Sequence, residues 1–120
     1  MMDKNDLGSF GEDAATAFLK QKGYLVIERN FSCRQGEIDI IASEGEYLAF
    51  VEVKLRKDAS HGEAREFVTR TKQKRVILAA RYWLSRNPSD LQPRFDVVEI
   101  YAPSGPQGKL YFRLIRDAFY

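Results

Sequence analysis

Residues Gly36 to Lys54 read GEIDIIASEGEYLAFVEVK. Two apolar runs lie in this stretch, and each carries charge inside it. Asp39 sits in Ile38-Asp39-Ile40-Ile41, and Glu52 and Lys54 sit in Leu48-Ala49-Phe50-Val51-Glu52-Val53-Lys54. Between the runs, Ser43-Glu44-Gly45-Glu46 is a turn signal, so the spacing predicts a β-hairpin. A two-residue loop at Glu44-Gly45 makes Asp39 face Phe50 and Glu37 face Glu52, and a four-residue loop keeps that pairing. Facing residues share a sheet face and side chains alternate along a strand. Glu37, Asp39, Glu52 and Lys54 are then expected on one face, with Asp39 and Glu52 diagonal neighbours roughly 7–8 Å apart at the backbone. A one-residue slip would separate them.

Carboxylates and an ammonium on a half-buried face need partners. A divalent cation is one: Mg²⁺ takes one or two carboxylates and completes its shell with waters and substrate phosphate. Lys54 beside it would steady a phosphate or a bound water. The other reading is a solvent-facing strand with a cross-strand salt bridge, the commoner meaning of a bare E-V-K. Leu48 and Phe50 share the face of Glu52 and Lys54, which makes one end of that face apolar.

With 120 residues, 44% hydrophobic and 30% charged, the chain suits one globular domain over residues 1–120. No apolar run approaches a membrane span, and MMDKNDLGSF lacks the apolar region of a signal peptide. A cytoplasmic protein with no membrane partner is expected. Cys33 is the only cysteine, so no internal disulfide forms, and a single histidine argues against a zinc site. The net charge of +2 is uneven: Lys54 to Arg75 holds eight basic and three acidic residues. Lys54, Arg56, Lys57, Arg70, Lys72, Lys74 and Arg75 are therefore candidate nucleic-acid contacts, and a solvated loop and helix face is the alternative.

Residues about 8–22 have helical periodicity, with Gly11, Ala14, Ala15, Phe18 and Leu19 as the apolar stripe and Gly23 at the end. Ser9 and Glu12 fit a capping box; Glu12 alternatively leans towards the hairpin as a third carboxylate. Tyr24 to Phe31 reads as a strand. Lys57 to Phe67 has no clear period, and His61 within it reads as a surface residue outside the site. Thr69 to Arg86 reads as a helix capped by Thr69 and ended by Asn87-Pro88. Gln73 is the polar member of its stripe, either reaching the site or satisfied by nearby backbone. Pro93 to Tyr101 and Leu110 to Ile115 read as strands, followed by a short aromatic tail. Asp96 reads as an ordinary acid at a strand start. The order α, three strands, α, two strands predicts a mixed sheet with helices packed on it.

Taken together, Gly11-Glu12-Asp13-Ala14-Ala15, Gly23-Tyr24, Arg29-Asn30-Phe31, GEIDII from Gly36, FVEVK from Phe50, Lys72-Gln73 and Arg94-Phe95-Asp96-Val97-Val98 resemble the YraN-like family. That bacterial family falls in the restriction-endonuclease-like, PD-(D/E)XK nuclease superfamily and is similar to archaeal Holliday-junction resolvases. The resemblance implies an α/β, restriction-endonuclease-like fold with a mixed central sheet of four to five strands flanked by helices. It implies Asp39 and Glu52 as ligands of Mg²⁺ or Mn²⁺, with the Val53 carbonyl as a further ligand and Lys54 as the catalytic lysine. Glu12 matches the helix-borne acid, and Gln73 or Lys72 the helix polar residue of related nucleases. The implied activity is hydrolysis of DNA phosphodiester bonds, structure-specific for junctions or repair intermediates, by a homodimer. Ile38 stands where the superfamily motif has proline, a position resolvase-like members commonly vary. The competing function is a non-catalytic nucleic-acid- or partner-binding module; an RNA nuclease is a third.

Overall fold

Residues 48–53 and 95–100 are near-continuous apolar runs, the pattern of strands covered on both faces. The computed structural model describes residues 4–56 and 68–119, with side chains from residue 9 onward. In it these runs lie in β3 (Tyr47–Arg56) and β4 (Gln92–Tyr101), paired in parallel within a five-stranded sheet. β1 (Leu25–Cys33), β2 (Gly36–Glu44) and β5 (Tyr111–Ile115) complete it by antiparallel pairing, in spatial order β1-β2-β3-β4-β5. A parallel pair needs a long crossover, and α2 (Arg70–Arg86) lies within it. Val76, Ala79, Ala80 and Trp83 of α2 pack with Ile38, Ile41, Leu48, Phe50, Phe95 and Val97. On the opposite face Ala15 and Leu19 of α1 (Lys4–Gln21) pack with Ile40, Ala42, Ala49, Val51, Val98 and Ile100. The result is a mixed α/β sheet with a helix on each face, consistent with a restriction-endonuclease-like fold. No helix among the described residues is long and apolar enough to cross a membrane.

The helix termini follow local chemistry at one end of α1 and depart from it at the other. Gly23, at φ +95°, closes α1: the Tyr24 N–H donates to the Leu19 carbonyl at 3.0 Å and the Gly23 N–H to the Lys20 carbonyl at 3.1 Å. The capping-box reading of Ser9 and Glu12 is corrected, because α1 starts at Lys4 and runs through Ser9. A serine inside a helix costs only a few tenths of a kcal/mol, roughly, which packing of the stripe outweighs. Thr69 does cap α2, its side chain accepting from the Lys72 N–H at 3.2 Å.

The hairpin forms with a different register. Glu44 pairs with Tyr47, so the loop is Gly45-Glu46 rather than Glu44-Gly45. Gly45, at φ +57°, then takes the first central position, where a type II′ turn requires glycine. The shift is an even one, so side chains keep their faces, but Asp39 comes level with Glu52 instead of Phe50. Regular alternation also breaks at Asp39: Ile38 and Ile41 pack on the α2 side, while Ile40 packs on the α1 side.

Asp96 is not an ordinary strand-start acid. It is fully buried and accepts from the Tyr24 hydroxyl at 2.8 Å, from Arg94 at 2.9 Å and from the Asp117 N–H at 3.0 Å. Arg94 also donates to Glu44, which takes two further bonds from Arg116. This network ties the start of β1, the end of β2, the start of β4 and the residues after β5. Arg116, then burial opposing it, then Arg94 set the Glu44 pKa, which is lowered to about 2. The aromatic tail covers the core: Phe119 is buried and stacks on Phe95 with centroids 5.2 Å apart, while Tyr120 lies outside the described residues.

Gly36 opens β2 against α2, where an added Cβ would meet the Arg75 carbonyl oxygen at 2.9 Å. Gly36→Ala should therefore lower stability by about 1–3 kcal/mol in urea unfolding. Gly11→Ala should instead raise it by about 0.5–1 kcal/mol, because a Cβ there meets only Leu55 and Val53 at 3.7–3.9 Å, and alanine favours the helix.

Candidate active site

Covering β3 and β4 on both faces sets a condition on every acid within them: each needs a partner. Among the described residues Glu52, Asp96 and Glu99 are the buried acids of these strands, at 2%, 0% and 0% exposure. Asp96 is held by Tyr24 and Arg94, as above. Glu99 Oε2 lies 2.9 Å from Arg56 Nε as an ion pair without a hydrogen bond, and Glu99 Oε1 accepts from the Tyr101 hydroxyl. Glu52 differs. Lys72 Nζ lies 3.8 Å from its Oε2, and its buried Oε1 has neither a hydrogen bond nor an ion pair among the described residues.

Asp39 reaches the same place from β2. Its Oδ2 accepts from the Val53 N–H at 2.8 Å, just past the last β2–β3 backbone pair, Ile40 with Val51. A side chain thus takes over from the ladder, and the hairpin opens where its two carboxylates converge. Burial raises the Asp39 pKa, against the Val53 N–H and the charges of Lys72 and Lys54. Burial, then the charge of Asp39, push Glu52 up to about 7. A buried carboxylate raised by the charge of a second one, with a buried oxygen that has no hydrogen bond among the described residues, fits a hard divalent cation that keeps waters in its shell.

The other sequence candidates separate into three groups. Lys54 and Lys72 both act electrostatically on Asp39 and Glu52, from β3 and from the first turn of α2. Gln73 is not brought to the carboxylates: its Nε2 donates to the Val68 carbonyl at 2.8 Å, so the backbone satisfies it. Glu12 is buried at 8% exposure and accepts from Arg29 Nε at 3.1 Å. Burial raises its pKa, and the charge of Asp39 reaches it too. Even so, no group of three His, Cys, Asp or Glu among the described residues could hold a metal. The cation would rest on Asp39 and Glu52.

Among the basic candidates, Arg70, Lys74 and Arg75 are exposed along the first half of α2. Arg56 is committed to Glu99, with its side chain 13% exposed. Lys57 and His61 lie outside the described residues. Two participants were not foreseen. Arg29 pairs with both Glu12 and Asp13. Glu99 sits in register with Lys54; alternation from Phe95 and Val97 was the signal that places it on the face of Glu52.

The Glu52 pKa carries a stability consequence. A carboxyl raised in the folded state favours folding fully below its unfolded value, near 4.5, and loses that contribution as pH rises through about 7. In EDTA, Glu52→Gln should unfold later than wild type at pH 8, by about 1–3 kcal/mol, with the gap shrinking towards pH 5. Equal stabilities at pH 8 would remove the electrostatic basis of the site.

Comparison with known proteins gives the family. The model of the uncharacterised protein family UPF0102 matches residues 11–100, a region that contains Glu12, Asp39, Glu52 and Lys54. A UPF0102 protein of Caldicellulosiruptor saccharolyticus is 43% identical over 119 residues, covering 98% of this chain and 100% of the relative. One from Desulforapulum autotrophicum is 46% identical over 117 residues, 97% of this chain and 94% of the relative. One from Symbiobacterium thermophilum is 47% identical over 115 residues, with 95% and 96% covered. The chain therefore belongs to the uncharacterised protein family UPF0102, the YraN-like family that its motifs resemble.

Proposed function

We propose that the protein is a metal-dependent nuclease that hydrolyses DNA phosphodiester bonds, preferring junctions or repair intermediates. The observation that carries this reading is the Asp39–Glu52 pair, with a buried Glu52 oxygen that has no hydrogen bond among the described residues, beside two lysines. Mg²⁺ or Mn²⁺ on Asp39 and Glu52 would supply Lewis acidity towards a phosphate oxygen.

The protein's own residues supply the rest. Lys54 and Lys72 hold positive charge in a partly buried place, where it stabilises negative charge growing on the phosphoryl oxygens more than it would in water. Lys72 stands in the first turn of α2, which contains no acid, so the helix dipole adds to its attraction for phosphate. Asp39, held by the Val53 N–H, is fixed in orientation before substrate arrives. Arg70, Lys74 and Arg75 extend the positive surface along α2 and bind backbone rather than bases, giving salt-sensitive and weakly sequence-specific contact. The reaction adds water across one P–O ester bond, yields a phosphomonoester and an alcohol, and needs no redox partner.

The test is cleavage of labelled linear duplex, single strand, flap and four-way junction with Mg²⁺, Mn²⁺ or EDTA. Cutting should need the cation and fall about 100-fold or more in Asp39→Ala and in Lys54→Met. Inert wild type and Asp39→Ala proteins that both bind DNA with equal salt dependence would favour the binding-module function instead.

A further inference from the structure

Three strands place a second set of residues on the sheet face that carries Glu52. Lys54 stands in register with Glu99 and Arg56 with Tyr101 across β3 and β4. Glu99 in turn stands opposite Arg113, and Tyr101 opposite Tyr111, across β4 and β5. The inner members are locked. Buried Glu99 pairs with Arg56 and accepts from the Tyr101 hydroxyl, which also meets Arg113. The outer members face solvent: Arg113 is exposed while meeting the Tyr101 hydroxyl, and Tyr111 is 49% exposed with Lys109 Nζ 5.3 Å from its ring centroid.

We infer that this strip, from Lys54 to the β5 edge, is a second nucleic-acid subsite that takes unpaired nucleotides next to the cut. The inference rests on the nuclease reading and names its substrate class. The strip has one carboxylate, Glu99, against four cations, Lys54, Arg56, Lys109 and Arg113, so its charge suits a polyanion. Glu99 fixes the inner cation and hydroxyl so that the strip does not collapse. Tyr111 adds a flat apolar surface at an edge strand. A ring stacks on a base only when that base has left the duplex, which separates an unpaired strand from a continuous helix. Adjacent strands lie about 4.8 Å apart, so β3 to β5 spans about 10 Å, a footprint of a few nucleotides at most. The strip therefore reads strand separation close to the scissile phosphate, independently of sequence.

The experiment measures binding of the full chain in EDTA, by anisotropy, to a blunt duplex and to the same duplex with a short single-stranded overhang of DNA or RNA. Wild type should prefer an overhang, and preference for either chemistry supports the subsite and identifies the strand. Tyr111→Ala should weaken overhang binding about 5-fold or more and collapse the overhang-to-blunt ratio. Arg113→Gln should lower the salt slope by about one. Both residues are exposed, and unchanged unfolding midpoints would show that the variants fold. Overhang binding by Tyr111→Ala equal to wild type overturns the subsite. Wild type that cuts in Mg²⁺ yet shows no overhang preference overturns the subsite alone. Wild type that binds no nucleic acid overturns the nuclease reading as well.

Discussion

The parallel pairing of β3 with β4 is the constraint from which the rest follows. Both strands are covered on two faces, so both must be apolar, and each acid inside them must be matched. Leu48, Phe50, Val97 and Phe95 give α2 its packing surface, and Ala49, Val51, Val98 and Ile100 give α1 its own. Asp96 and Glu99 obey the condition with arginine and tyrosine partners supplied by neighbouring strands and the residues around them. Glu52 meets it only halfway. An energetically costly exception in a strand covered on both faces is where function is expected.

The position of that exception is set by the hairpin. β2 and β3 run together as far as Ile40 and Val51, and then Asp39 bonds the Val53 N–H with its side chain. Backbone pairing gives way to side-chain pairing at the point where the sheet meets the N-terminal half of α2. Close approach of Gly36 to the Arg75 carbonyl holds that helix down, and Lys72 projects towards Glu52 from its first turn. The carboxylate pair, the two lysines and the strip running out through Glu99 to Tyr111 belong to one continuous arrangement of strand ends. The Arg94–Asp96 network sits at the opposite ends of the same strands, where β1, β2 and β4 are tied together.

Much of this was legible in the residues. Period-two runs around Gly45, the helical stripe through Val76 and Trp83, and the Thr69 cap are local signals, and local physics carried them into the structure. Where local signals competed, packing chose. Ser9 and Glu12 read as a cap, yet the helix continued past them. Gly45 was placed second in its turn and stands first. Gln73 had two readings, and the Val68 carbonyl, in reach only once the chain before α2 is placed, took its amide. Arg56 looked like a surface cation, and a buried acid on the neighbouring strand claimed it.

The chain's own order of residues was sufficient for the element types, for the apolar faces and for placing Asp39 and Glu52 as neighbours in one hairpin, because these depend on period and near neighbours, though not for the hairpin's register. It was insufficient for which groups meet each buried acid. Asp96, Glu99 and Glu52 look alike in a string, each a single acid in an apolar run. Much of their difference arises from groups far along the chain: Tyr24 reaches Asp96, Arg56 pairs with Glu99, and Lys72 approaches Glu52 at 3.8 Å. Burial and charge act through space, so the unmatched oxygen that marks the site exists only once the sheet is assembled.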